Sequence, residues 1–258
     1  MTSAQAELRV LDVSKSFGGL TAVDRCSFHT WGVGTITGVI GPNGAGKSTL
    51  FDIISGLTRA DGGEIWLRGR RIDTLPPYQV ARLGVARTFQ TPREIRRLTL
   101  LENLMLVPLR QRGELLRALI GQGRRIRTEE RAITDQAEAV LELVEMTHQR
   151  DTPAGSLSIG QKKLLELARC LMARPVIVLL DEPAAGVNPR LLAELLKVIE
   201  NIARSGVTLI IIEHNINLIM SLCSHVVVLH HGHVLCEGTP ESVQKDERVL
   251  EAYLGAAV

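Results

Sequence analysis

An α/β fold built on a mainly parallel, doubly wound sheet is what this sequence predicts, and three observations carry the prediction. Segments rich in β-branched apolar residues alternate with segments of helical period, the pattern of strands whose connections cross over through helices. Three of those strands, 176–180, 207–212 and 226–229, read as buried, and 176–180 is a continuous apolar run, as strands covered on both faces are. An earlier one, 35–40, runs into a glycine loop and then into a helix with Leu50, Ile53, Ile54 and Leu57 on one face.

Taken in order, residues 8–13 and 25–31 read as strands joined by a loop, 14–24, that turns at Gly18-Gly19. After the strand at 35–40 and its helix, 62–71 reads as a turn and hairpin, 77–83 as a short helix, and 85–89 as a strand ending in Gln90. The pattern then changes. Residues 100–107 form a compact apolar helix, followed by a stretch, 110–131, with seven arginines against three glutamates. That run is either a solvated helical face or a surface meeting lipid headgroups or a partner's acidic loop. Helical periodicity returns at Ile133, Ala137, Val140, Leu141 and Val144, so 91–152 reads as a small helical subdomain inserted into a single domain spanning 1–258. A loop at 153–159 leads into a helix whose apolar face is Leu164, Leu167, Ala168, Leu171 and Met172. Asn188-Pro189 supplies a cap and first-turn pair for the next helix. The tail, 238–258, reads as two short helical pieces.

Composition narrows the function. A chain of 258 residues, 45% hydrophobic, can bury one large core or two modest ones. A net charge of +2 gives no reason to expect nucleic acid as a partner. The four cysteines are scattered, without a C-x-x-C pair or a histidine cluster at metal spacing, which points to reduced, structural thiols in a cytosolic protein. The N-terminus does not read as a signal peptide, and no apolar run approaches the roughly 20 residues that span a bilayer. Any membrane role is therefore expected to come through a partner.

The chemistry starts at Gly41, Pro42, Asn43, Gly44, Ala45, Gly46, Lys47, Ser48 and Thr49, which fit the phosphate-loop pattern G-x-x-x-x-G-K-[ST]. Glycines at 41, 44 and 46 let successive backbone N–H groups point inward at a polyphosphate, and the helix beginning near Lys47 adds its N-terminal dipole. Lys47 can reach the terminal phosphates, and the Ser48 hydroxyl can ligate magnesium. Phe17, in a chain with only 3% aromatics, is either a local packing anchor or a ring stacked on the nucleotide base. Farther on, an apolar strand ends in Asp181-Glu182, where strand-end carboxylates face a ligand. Asp181 is assigned to the metal and Glu182 to orienting or deprotonating the attacking water. A third element is Leu157-Ser-Ile-Gly-Gln161, where Ser158 and Gln161 form a capping box and also make that helix end an anion site. Two phosphate-binding helix ends are more than a simple nucleotide kinase needs.

These motifs, in this order, resemble the ATPase subunit of an ABC transporter over nearly the whole chain: the phosphate loop, Gln90, the LSIGQ signature, VIVLLDEP, the AAGVNP turn and His214. The resemblance implies a P-loop NTPase-type, mainly parallel core, an antiparallel β subdomain and the inserted helical subdomain. It also implies ATP and magnesium as cofactors, and two subunits packed head to tail. Ser158 and Gly160 of one subunit would close over the γ-phosphate held by the other, with the signature's Gln161 also counted among the nucleotide-binding residues. Gln90 would touch magnesium and sense the membrane partner, and His214 would contact the γ-phosphate. Ile159 departs from the family's commonest glycine, and Asn188 replaces its more frequent aspartate while keeping the cap.

A narrower similarity, to the ATPases of high-affinity branched-chain amino-acid importers, rests on five features. They are Arg87-Thr-Phe-Gln90, the 100–107 helix with its basic insert, 183–189, Ile212-Glu-His-Asn215 and Glu251-Ala-Tyr-Leu-Gly255. Relatives in that group also serve urea, short amides and aromatic acids. The implied partners are membrane-embedded permease subunits, a second ATPase subunit that is identical or paralogous, and indirectly a solute-binding protein. The implied place is peripheral, at the cytoplasmic face of the inner (cell) membrane. A soluble ABC ATPase without a permease is the alternative. A GTPase would want an N-K-x-D motif that the sequence lacks, and a nonenzymatic scaffold is disfavoured by Lys47, Asp181 and Glu182.

Overall fold

A computed structural model describes residues 7–88, 94–108 and 123–254, which gather into two compact units. The first takes the described residues of Met1–Gln90, Val176–Ala185 and Ile202–Val258, and the second those of Thr91–Pro175 and Gly186–Asn201. The sequence expectation drew the helical subdomain as 91–152; the helical unit here runs on to residue 175 and takes in 186–201.

The first unit carries two sheets. Strands β1 (Leu8–Phe17), β2 (Leu20–His29), β4 (Gly62–Leu67) and β5 (Arg70–Arg71) form an antiparallel sheet in the order β2-β1-β4-β5. The second sheet uses β3 (Ile36–Ile40), β6 (Val85–Arg87), β7 (Ile177–Asp181), β8 (Thr208–Ile212), β9 (His225–His230) and β10 (His233–Gly238), ordered β10-β9-β3-β8-β7-β6. All of its pairs are parallel except β9 with β10. Every residue of β3, β7 and β8 is buried, which is why these strands read as mainly apolar segments. Helix α1 (Lys47–Ile54) puts Leu50, Phe51, Ile53 and Ile54 into one core with Val10 and Ile65 of the antiparallel sheet and Ile177, Ile210 and Val227 of the parallel one. That shared core fixes where the phosphate loop leaves β3. Short helices α2 (Pro77–Arg82), α7 (Ile216–Leu222), α8 (Pro240–Gln244) and α9 (Glu247–Leu254) complete the unit, the last two matching the helical tail expected.

In the second unit α3 (Leu100–Met105), α4 (Gly123–Leu143) and α5 (Ile159–Met172) are joined by the start of α6 (Pro189–Arg204). Thr99 and Glu102 form a capping box on α3. The buried Asn103 side chain donates to the carbonyls of Ile95, Leu98 and Thr99 and accepts from the Ile95 N–H, so one amide organises the turn that enters α3. Asn188 Oδ1 accepts from Leu191 N–H at 2.9 Å, the cap expected for α6.

Two expectations need correction. The segment 14–24 is not a loop: β1 and β2 continue to a two-residue turn at Gly18-Gly19, with Phe17 paired to Leu20. Register shifts along β1, with Asp12 and Arg25 at positive φ, break the two-residue alternation by which a strand is recognised. Strand β10 was not expected either. It pairs with β9 through His231 and Gly232, both at positive φ, the conformation a tight hairpin turn needs.

The four cysteines are free. Burial pushes the thiols of Cys26, Cys170 and Cys223 up to about 12, in keeping with structural roles. Among the described residues no helix is long and apolar enough to cross a membrane.

Candidate nucleotide site

The phosphate loop leaves β3 at Gly41 and enters α1 at Lys47. Gly44 and Gly46 hold φ of +79° and +97°, in the left-handed region that a side chain disfavours. Gly46 is fixed by space as well: a Cβ there would lie 2.2 Å from the Ala22 carbonyl oxygen. Helix α1 begins at Gly46 with no side-chain cap and no acidic residue in its first turn, so its leading N–H groups have no side chain to satisfy them. Asn43, Gly44 and Ser48 are exposed and Thr49 is half-buried, while Ala45 is buried.

Lys47 is buried, and its ammonium donates to the carbonyls of Gly41 at 2.7 Å and Pro42 at 2.9 Å. Burial pulls its pKa below the usual lysine value, against the opposing pull of Glu182 and then Asp181. The loop lysine and the strand-end carboxylates, predicted from separate stretches, therefore share one electrostatic environment.

Asp181 closes β7 with its side chain 5% exposed. Its Oδ2 accepts from Arg87 at 3.1 Å, and Arg87 also reaches Asp52 of α1 at 2.5 Å. Among the described residues, the buried Asp181 Oδ1 has no hydrogen-bond partner. Such an oxygen is costly unless something completes it, and a hard carboxylate oxygen suits magnesium. Glu182 follows at φ +49°, a conformation that costs a non-glycine residue about 1–2 kcal/mol and swings its side chain away from the strand path. Its Oε1 lies 2.9 Å from His214 Nε2. The two residues, 32 positions apart, are brought together by the pairing of β7 with β8, in which Asp181 faces Ile212.

Sequence reasoning missed two side chains here. Arg87 bridges Asp52 and Asp181, as above. Glu213, 4% exposed, accepts from the Ala184 N–H at 2.7 Å and from the His214 N–H at 3.2 Å, tying the turn after β7 to the turn after β8. A signal existed for Glu213, since an acid directly after a buried strand repeats the pattern at Asp181. For Arg87 none did.

Phe17 is 51% exposed at the tip of the β1–β2 hairpin, with the Lys15 ammonium 5.3 Å from its ring centroid. It does not act as a packing anchor. Gln90 lies outside the described residues, as does most of the arginine-rich stretch.

In the second unit, Ser158 caps α5. Its hydroxyl oxygen accepts from the Gln161 N–H at 3.3 Å, and its own N–H donates to Gln161 Oε1 at 3.0 Å. Because the oxygen is the acceptor, the hydroxyl proton is left to donate elsewhere. Gly160 has a packing reason beside any functional one: a Cβ there would sit 2.1 Å from Leu191 Cδ2. Ile159 is 61% exposed and takes no part in the core.

A family model described as ABC transporter matches residues 26–185, and one described as branched-chain amino acid ATP-binding cassette transporter matches 233–258. BraF of Pseudomonas aeruginosa, a high-affinity branched-chain amino acid transport ATP-binding protein, is 39% identical over 251 residues, covering 97% of this chain and 98% of its own. A probable branched-chain amino acid transport ATP-binding protein, LivG of Archaeoglobus fulgidus, is 38% identical over 251 residues, covering 96% and 95%. Among solved structures, a nucleotide-free ATP-binding cassette from an ABC transporter superposes with a TM-score of 0.83 at 34% identity, covering 96% of this chain and 99% of that one. Another, in its ADP conformation, gives 0.82 at 33% identity, covering 97% and 99%. With the phosphate loop, the strand-end carboxylates and the signature helix in place, the chain belongs to the ABC transporter family, as one of its ATP-binding, ATP-hydrolysing cassettes.

Proposed function

We propose that this chain is the energy-coupling ATPase subunit of an importer for branched-chain amino acids or a related small polar solute. It would sit peripherally on the cytoplasmic face of the inner (cell) membrane, beside permease subunits that receive solute from a binding protein. The observation that carries the catalytic part is the Glu182–His214 hydrogen bond, formed in the electrostatic environment of Lys47 and Asp181. The solute assignment is supported by the transport names of the relatives and by the match at 233–258.

In this reading the N–H groups of residues 43–49 cradle the polyphosphate, Lys47 moves from its loop carbonyls onto the terminal phosphates, and Phe17 stacks on the base. Ser48, Asp181 and Gln90 would hold magnesium, which when bound offsets phosphate charge. Glu182 takes a proton from the attacking water as its oxygen bonds to the γ-phosphorus and the bond to the ADP leaving oxygen breaks. His214 holds that carboxylate in place and contacts the γ-phosphate in the closed state. A second subunit, identical or paralogous, packs head to tail, and its Ser158 and Gly160 close over the phosphate. Binding then favours the closed pair and hydrolysis releases it, a two-state switch set by the γ-phosphate. The helical subdomain, 91–152 with residues beyond it, passes that motion to the permease. A soluble cassette without a permease draws no support from relatives that carry transport names.

Glu182→Gln tests the assignment. Nucleotide affinity stays at the wild-type level while turnover falls about 10³-fold, the scale of a lost general base, and closed dimers accumulate with ATP. Near-normal turnover would remove Glu182 from the role.

A further inference from the structure

Strands β7 and β8 keep their parallel pairing up to Asp181 and Ile212, and one further bond joins the Glu182 N–H to the Ile212 carbonyl at 2.9 Å. Beyond that point both chains turn, and a buried side chain takes over from the ladder. Glu213 Oε1 accepts from the Ala184 N–H at 2.7 Å, and its Oε2 accepts from the His214 N–H at 3.2 Å. The Ala185 N–H closes the first turn on the Glu182 carbonyl at 3.2 Å. Residues 182–185 and 212–214 are thereby laced into one stretch of fixed backbone.

A carboxylate suits this place. Both of its oxygens meet N–H donors, and an ionised carboxylate is acceptor-only; bonds from backbone N–H groups to such a charge are the stronger kind. The two side chains whose backbones it ties are more open. Glu182 is half-buried and His214 exposed, and a contact between side chains so close to water contributes little by itself. Glu182 also sits at φ +49°, so the direction of its side chain depends on the turn that holds its backbone.

We infer that Glu213 is a positioning residue for the Glu182–His214 pair. By clasping the turn after β7 to the start of the turn after β8, its carboxylate fixes the separation at which Glu182 Oε1 and His214 Nε2 meet, 2.9 Å. The inference rests on the reading of Glu182 as the group that takes the water's proton, and adds what holds that group in place. Glu213 itself touches neither water nor phosphate in this role. Because it acts through Glu182, its effect on turnover vanishes once Glu182 can no longer act as a base.

Glu213→Gln keeps the volume of the side chain but offers one acceptor and turns an amide N–H group toward the other backbone donor. ATP turnover and calorimetric ADP affinity of the full-length chain are measured for wild type, for each single variant and for the double variant with Glu182→Gln. The expected kcat of Glu213→Gln is about 10- to 100-fold below wild type, the scale of a catalytic group displaced by an ångström or less, with the Kd for ADP unchanged. The double variant turns over at the rate of Glu182→Gln alone. Glu213→Asp, which keeps both acceptors on a shorter stem, loses less and follows the same pattern, and it carries the test if Glu213→Gln does not fold. A wild-type kcat in Glu213→Gln would overturn the inference. So would losses that multiply with Glu182→Gln in either variant, which would assign Glu213 to general packing. Near-normal turnover in Glu182→Gln would instead contradict the reading of that residue as the base, and the inference with it.

Discussion

Helices α1 and α5 both begin where an anion can bind, yet their first turns are built in opposite ways. Helix α1 starts at a left-handed glycine, has no side-chain cap, and carries a lysine at its first position, where the helix dipole disfavours positive charge. Helix α5 starts with a complete capping box. The first end is unfavourable by itself and is held by its surroundings: the loop carbonyls under Lys47, the Ala22 carbonyl against Gly46, and the Asp52–Arg87–Asp181 bridge. The second end is satisfied locally and offers a hydroxyl proton outward. In the proposed function a polyphosphate would complete α1, whereas for α5 it would be an additional partner, met only when two subunits close.

The contrast can be broken from either side. The largest effect is expected at Gly46→Ala, which meets both a left-handed φ and a backbone oxygen that cannot retreat. A destabilisation on the order of 4 kcal/mol with loss of nucleotide binding is expected by thermal melting and calorimetry. Wild-type affinity would mean that the loop has slack the structure denies. Next is Arg87→Met, which leaves the buried Asp181 carboxylate without its counter-ion and should cost about 3 kcal/mol in chemical denaturation. A neutral outcome would show that α1 does not depend on this bridge.

Smaller still is Ser158→Ala. Helix α5 loses one cap, worth about 1 kcal/mol, so the melting temperature should fall by a few degrees while ADP binding by the single subunit stays intact. A fall in ADP affinity matching that at α1 would erase the distinction between the two ends.

The same contrast explains what could be read from the sequence. The phosphate loop, the Ser158–Gln161 box and the Asn188-Pro189 start are local devices, complete within a few consecutive residues, and each is found in the structure as expected. The buried strands were legible because burial on both faces leaves a mainly apolar segment rich in β-branched residues. The roles of Arg87 and Glu213 were not, because their partners lie 94 and 29 positions away. Only the inner part of the β1–β2 hairpin, 14–24, was read as a loop, because bulges interrupt the alternation that announces a strand.

The most direct test of the account is Ser158→Asp placed in the Glu182→Gln background. Aspartate caps a helix as well as serine but sets a negative charge where a phosphate would arrive. The prediction is a melting temperature and single-subunit ATP affinity equal to those of Glu182→Gln alone, with no ATP-dependent dimer by light scattering. A dimer that still forms with ATP at the Glu182→Gln level would contradict the claim that this self-capped helix end meets the nucleotide of a second subunit.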